Sequence, residues 1–455
     1  MAKVKTEFIC SACGYVSPRW MGNCPQCKEW NTFTESLKEN QKAVANEHRA
    51  KLQSWNEKDA TPQKLDEIKQ DTDARILSGM PEFDRVLGGG FVGGSLILLG
   101  GEPGVGKSTI ALQLAAKRAD LDILYCAGEE SPGQIKQRSA RMGVTSGKLR
   151  VYAETDVSRI QSEVEKNKPD ILIIDSIQTL FRPELQSMPG TVAQIRECAG
   201  LLMRLAKKLN VITVVIGHVT KEGDLAGPRI LEHMVDVVLQ FEGDKKLNYR
   251  LLRSLKNRFG RTYEIGVFEM SESGLRDVIN PSELFLSEFS DGVSGNAAAC
   301  IMEGNRPIIL EIQALVTPAS YGTPQRTASG FDNRRLSLLL AVLEKRSGFK
   351  FGNQDVFINV AGGMKLQDTA SDLAVVAALV SSLTDRPIPA KTLLIGEVGL
   401  GAEIRTVNGL EQRIREAEKV GFGKIVIPSN STKNKGNQTE ASYLSDAFRM
   451  LFGKR

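Results

Sequence analysis

The 455-residue chain lacks the long apolar stretches of a membrane protein. Its longest apolar runs, such as Val211 to Gly217, have the length of buried strands and fall well short of the ~18 residues that span a bilayer. No basic-plus-apolar leader precedes Cys10, so a cytoplasmic rather than a secreted chain is expected. No internal repeat of fixed period is visible, which argues against a solenoid or propeller. Charge of neither sign dominates. Lys and Arg number 59 against 54 Asp and Glu, an excess compatible with a polyanion partner but too small to require one. The 41% hydrophobic and 25% charged fractions fit a globular protein, and the length suggests roughly three domains at about 150 residues each.

Cysteine is scarce after the first 27 residues, where four of the seven lie. That uneven distribution disfavours a disulfide framework and points to a reducing compartment. Cys126, Cys198 and Cys300 sit among apolar neighbours and read as small core residues. The quartet has metal-ligand spacing: Cys10-x2-Cys13, ten residues, then Cys24-x2-Cys27. Each pair lets two thiolates approach one ion from a tight turn, and two such knuckles complete a tetrahedral Zn²⁺ site. A redox dithiol, a pair of disulfides or rubredoxin-like iron are the alternatives. Four thiolates leave no open coordination position, so this site is expected to serve structure or recognition. Trp20 and Trp30 are expected to cap its small core, with facing a partner as the alternative.

Composition then shifts. Residues 1–33 form the four-cysteine module, and residues 34–74 are a polar linker rich in Glu, Lys, Gln and Asn. From residue 75 to about 280, apolar runs (SLILLGG, ILYCAGEE, ILIIDSI, VITVVIGHV) alternate with amphipathic ones (STIALQLAAKRA, TVAQIRECAGLLMRLAKKL). Such alternation predicts an α/β fold with a central, mostly parallel sheet covered on both faces. Residues 281–455 again mix strands (RPIILEIQALV, DVFINVAGG, TLLIGEVG) with helices (RRLSLLLAVLEKRSG, ASDLAVVAALVSSL, GLEQRIREAEKVG), predicting an α+β domain.

Gly101-Glu102-Pro103-Gly104-Val105-Gly106-Lys107-Ser108, followed by Thr109, matches G-x-x-x-x-G-K-[ST] in full, between a predicted strand and a predicted helix. Its glycines let backbone N–H groups turn towards phosphate oxygens at the positive end of the helix. Lys107 is expected at the β- and γ-phosphates of ATP and Ser108 on Mg²⁺. Asp175 ends the strand ILIID, where an acidic residue can hold the Mg²⁺. Glu129 and Glu130 end ILYCAG, where a carboxylate can orient the attacking water.

These features, with the segment Lys256-Asn257-Arg258-Phe259-Gly260, resemble the bacterial RadA (Sms) family of RecA-superfamily recombination and repair ATPases. The resemblance covers nearly the whole chain, and KNRFG is its most specific motif. It implies that Lys256 and Arg258 act like an arginine finger on nucleotide held by a neighbouring subunit, hence a homo-oligomer, a hexameric ring. It also implies single-stranded and branched DNA and the RecA recombinase as partners. His218 would be a polar sensor between the γ-phosphate and a DNA-binding loop running through Lys221 to Arg229; Phe181 to Thr191 is the alternative loop.

The carboxyl-terminal region resembles the Lon protease domain. Lon-type chemistry needs a Ser nucleophile and a Lys base. The matching stretch, Asp368-Thr369-Ala370-Ser371, puts Ala370 at the nucleophile position. Ser371 is one residue late, turned by about 100° on a helix. Asn408 to Arg413, where the base belongs, contains no Lys. Peptidase activity is therefore not expected. A basic DNA surface could draw on Arg334, Arg335, Lys345, Arg346 and Lys350. The expected function is a DNA-dependent ATPase of homologous recombination and repair, driving branch migration on single-stranded DNA. Its rivals are an ATP-dependent Lon-like protease and a KaiC-like nucleotide-gated scaffold.

Overall fold

A computed structural model describes residues 6–37, 64, 75–144, 147–218, 229–243, 249–286, 292–319, 322–429 and 436–453. The chain divides into two compact units: residues 1–244 with 250–262 and 268–277, and residues 245–249 with 263–267 and 278–455. Among the described residues no helix is long and apolar enough to cross a membrane.

In the first unit, β1 (Thr6–Cys10), β2 (Val16–Ser17) and β3 (Phe33–Leu37) form a small antiparallel sheet in the order β2-β1-β3. The larger sheet contains β4 (Leu96–Gly101), β5 (Ile123–Ala127), β6 (Leu149–Tyr152), β7 (Ile171–Asp175) and β8 (Ile212–His218). It is completed by β9 (Val237–Glu242), β10 (Tyr249–Asn257), β11 (Ile265–Ser271) and β12 (Gly274–Asp277), in the order β12-β11-β10-β9-β4-β8-β7-β5-β6. The run from β9 to β6 is parallel throughout, whereas β10 returns antiparallel to β9.

The central strands are predominantly apolar because both faces are buried, with Thr213 inside β8 and the polar Asp175 and His218 at strand ends. Side chains alternate between faces along a strand. Ile97 and Leu99 therefore pack with Ile110, Ala111 and Leu114 of the helix Lys107–Lys117. Leu96 and Leu98 pack on the other side with Leu202 and Leu205 of the helix Val192–Leu209, and with Ile160 and Val164 of Val157–Asn167. Cys126 and Cys198 lie in this second core, where burial pushes each thiol up to about 12. They are packing residues, as their apolar neighbours suggested.

The second unit is built on a seven-stranded mixed sheet. Its centre pairs β13 (Asn296–Glu303) and β14 (Arg306–Pro318) antiparallel over eight residue pairs. The helix Asp372–Thr384 is apolar on nearly all sides and buried from Asp372 to Ser381. The stretch TLLIGEVG is not one strand. Thr392–Leu394 joins the large sheet, but the buried Asp372 carboxylate accepts the Val398 N–H at 3.1 Å, and Glu397–Val398 pairs instead with Ile404–Arg405.

Candidate functional site

The phosphate loop lies between β4 and the helix Lys107–Lys117. Gly101, Gly104 and Gly106 have φ of +155°, +81° and +116°, a region costly for residues with a Cβ. A Cβ at Gly101 would lie 2.7 Å from the Phe241 carbonyl oxygen, and the space beside Gly104 is open. The helix has no side-chain cap and no acidic residue in its first turn, so its amino end keeps its positive field and its free N–H groups. This cradle suits phosphate. Lys107 is buried and donates to the carbonyls of Gly101 (2.7 Å) and Glu102 (2.9 Å). Burial lowers its ammonium to about 8, against the pull of Asp175, Glu129 and Glu102. The charge of Lys107 is thus held ready but incompletely compensated. The adjacent Ser108 and Asp175 are the residues that would hold Mg²⁺.

Asp175 ends β7, is buried, and accepts a hydrogen bond from the Tyr125 hydroxyl of β5. The two glutamates that follow β5 part company. Glu129 Oε1 accepts from the Ser176 hydroxyl at 2.6 Å and lies 3.1 Å from His218 Nε2 at the end of β8. Burial pushes the Glu129 carboxyl up, but the bonds from Ser176 and His218 outweigh it and leave the group below its ordinary range. Glu130 turns away to an ion pair of 2.9 Å with Arg138. Sequence alone could not separate them, because neighbours in a turn point apart only once the turn is built. Tyr125 and Ser176 were missed for the same reason: their hydroxyls matter only because adjacent strands bring them to Asp175 and Glu129.

His218 is therefore at the site. Lys221 lies outside the described residues, and Arg229 begins the helix Arg229–Met234. The alternative loop, Phe181 to Thr191, is tied from within by buried Gln194, which accepts the Arg182 N–H (2.8 Å) and donates to the Ser187 carbonyl (2.7 Å).

KNRFG occupies the opposite end of the sheet from the phosphate loop. In the strand register Asn257 faces Val237, Val237 faces Ile97, and Gly101 lies four residues further along β4. Four residues of strand amount to about 13 Å. Lys256 donates to the carbonyls of Glu232 (2.6 Å) and Val235 (2.8 Å). Burial and the nearby Arg258 lower its ammonium. Asn257 donates to the Leu87 carbonyl (3.0 Å) and accepts the Phe259 N–H (2.9 Å). Gly260 is a close approach, since a Cβ there would come within 3.1 Å of Gly88 Cα. Arg258 is more than half exposed and pairs with buried Asp236 at 3.3 Å.

None of the four cysteines of the quartet is in a disulfide, and their Sγ atoms lie within 4.8 Å of one another. Cys10–Cys27 and Cys13–Cys24 are 3.6 and 3.5 Å apart. Sulfurs about 2.3 Å from a tetrahedral ion sit roughly 3.8 Å apart, so the cluster fits Zn²⁺. Trp20 and Trp30 do not cap its core. They are 54% and 72% exposed, because the cysteines, Phe33 and Phe8 already fill that small interior.

In the second unit, Ala370 is fully buried, and the buried Ser371 hydroxyl donates to the Asp368 carbonyl at 2.8 Å. Arg413 occupies the region where a Lys base would belong. It is 1% exposed and paired with Asp368 at 2.6 Å. Arg335 is held by the buried Asp372 carboxylate and the Val398 carbonyl, while Arg334 is exposed. Burial raises the Asp372 carboxyl despite the bond from Arg335.

A family model described as an AAA domain matches residues 61–224, one described as a rubredoxin metal binding domain matches residues 8–35, and one described as subunit ChlI of Mg-chelatase matches residues 322–431. The chain is 48% identical to DNA repair protein RadA of Bacillus subtilis over 460 residues, covering 100% of both chains. The chain belongs to the RadA family. The RadA of Halalkalibacterium halodurans is likewise 48% identical over the full length of both chains, and that of Streptococcus pyogenes serotype M1 is 50% identical over 95% of this chain and 94% of its own. A solved KaiC-like protein from Pyrococcus horikoshii is similar over 45% of this chain and 98% of its own, with 24% identity and a TM-score of 0.38.

Proposed function

We propose that the chain is a DNA-dependent ATP hydrolase of homologous recombination and repair. In this reading it moves on single-stranded DNA in the cytoplasm and processes or branch-migrates recombination intermediates together with RecA. Lys107 and the loop N–H groups hold the phosphates of ATP, Ser108 and Asp175 hold Mg²⁺, and Glu129 orients the attacking water. Lys256 and Arg258 stabilise charge on nucleotide bound by the next subunit of a ring, taken to be hexameric. His218, bonded to Glu129, links the site to the DNA-contacting segment that follows it. The zinc module serves structure or recognition.

The observation that carries the reading is the separation of two half-sites. Lys107, Asp175 and Glu129 meet at one end of the sheet, and KNRFG sits about 13 Å of strand away, too far to serve its own phosphate loop. ATP turnover with and without single-stranded DNA at low salt tests it. Stimulation that Lys107→Ala abolishes is the expected result. Turnover indifferent to DNA would favour a nucleotide-gated scaffold.

Peptide hydrolysis is not part of this reading. Ala370, the engaged Ser371 hydroxyl and the Arg413–Asp368 pair leave the Lon-like unit without a nucleophile and base. Degradation of casein with ATP that Ser371→Ala abolished would overturn that conclusion.

A further inference from the structure

KNRFG contributes two cations to its end of the sheet, and the fold brings a third that no motif contains. The buried Asp236 carboxylate, with its side chain 4% exposed, divides its oxygens. Oδ1 faces Arg258 Nη1 at 3.3 Å, while Oδ2 accepts from Lys207 Nζ at 2.9 Å and from the Leu96 N–H at 3.0 Å. Backbone bonds fix the same residue from both sides: its N–H donates to the Leu96 carbonyl (2.9 Å), and its carbonyl accepts the Arg258 N–H (3.1 Å). Asp236 is thus fastened to the head of the central strand and to the motif. Lys207 comes from the far end of the helix Val192–Leu209, and its ammonium stands 5.8 Å over the Phe259 ring.

The charges do not cancel. Lys207 and Arg258 pair with Asp236, while Lys256 lies in the field of Asp236 and Glu232; three cations against two carboxylates leave a surplus of one positive charge by count. Lys207 and Arg258 are 44% and 56% exposed, whereas Asp236 lies beneath them. The carboxylate holds two cations side by side while their outer faces remain available. A surface ion pair adds little stability, but a fixed pair of cations with donors facing outward is preorganised for a phosphate.

We propose that Lys207 is a third cation of the trans-acting cluster and that Asp236 is the positioning residue that holds Lys207 beside Arg258. The ligand is the triphosphate of a nucleotide bound by a second copy of the chain. This rests on the trans reading of KNRFG above, and the test separates the two.

Lys207→Gln and Arg258→Ala are each assayed for ATP turnover with single-stranded DNA, alone and mixed with Lys107→Ala protein, with co-assembly demonstrated. Lys207→Gln should lower kcat about 100-fold with KM changed less than about threefold, since the cation acts on charge that develops during transfer. Mixing should restore turnover, and Lys207→Arg should recover most of the loss. Circular dichroism and melting temperature confirm that Lys207→Gln is folded. Asp236→Asn, if folded, should show the same split between kcat and KM. A Lys207→Gln enzyme with kcat within threefold of wild type overturns the proposal. So does impairment that mixing does not relieve while Arg258→Ala is relieved, which would make Lys207 a support within its own subunit. Failure to relieve either variant would overturn the trans reading itself, and this inference with it.

Discussion

The Glu129 carboxylate and the His218 imidazole meet at 3.1 Å across the carboxyl ends of β5 and β8, with Ser176 from the end of β7 closing the group at 2.6 Å. Two strands, β7 and β8, therefore deliver one side chain each to a carboxylate that follows the third, β5. His218 Nδ1 is buried and makes no hydrogen bond among the described residues, so Glu129 is the anchor of that ring.

Glu129 and Glu130 should behave differently. Glu129→Gln is expected to lower kcat by about 10²- to 10⁴-fold while ATP still binds, the usual span for losing a positioned general base. Glu130→Gln should change kcat only a few fold, since that carboxylate faces Arg138. Because the Glu129 pKa is lowered, its ionised form persists below the ordinary carboxylate range and is lost only as pH falls through that depressed value. A pH–rate profile should show no acid limb from Glu129 near neutrality. Equal losses in the two variants would contradict the assignment.

Lys107 should couple ATP binding to proton uptake. With its pKa at about 8, part of the free protein carries a neutral amine at that pH, and phosphate favours the ammonium. Calorimetry near pH 8 in buffers of different ionisation enthalpy should report uptake that Lys107→Ala lacks. The stability sign also follows. The burial cost of the ammonium is present in full below pH 8 and is relieved as pH rises towards 10.5. Uptake of equal size in the variant would place the proton elsewhere.

Metal removal should unfold the cysteine module and spare the ATPase core, whose apolar clusters contain no metal-cluster residue. One metal ion per chain and four thiols released on chelation are expected. Cys24→Ser should lose the ion, whereas Cys198→Ser should keep it. Retention of a full equivalent by Cys24→Ser would exclude the four-thiolate site.

Arg413→Ala should destabilise the second unit by about 3 kcal/mol, because it strips the cation from the Asp368 carboxylate, leaving it only the Met302 and Ala370 N–H donors, and takes the Arg413 donor from the Cys300 carbonyl. Thermal unfolding measures this directly. A loss below about 1 kcal/mol would show that the pair is dispensable.

The phosphate loop, the cysteine quartet and the central strands were legible because each depends on local spacing. A loop glycine needs its own φ, two knuckles need their own turns, and a strand buried on both faces must be largely apolar. The capping reading of Trp20 and Trp30 fails because a short segment gives no count of what already fills its interior. The break in TLLIGEVG was invisible because its cause, Asp372, lies 26 positions from Val398.

By itself, then, the sequence determined the residue types that can hold phosphate and zinc, the alternation of strands and helices, and the lack of a Lys from Asn408 to Arg413. Tertiary structure decided which glutamate enters the site, which hydroxyls meet it, and that Lys207 stands beside Arg258 on Asp236. Direction in space is the reason. Consecutive residues of a turn diverge, and residues far apart in the chain converge only where parallel strands end together or a buried carboxylate collects them.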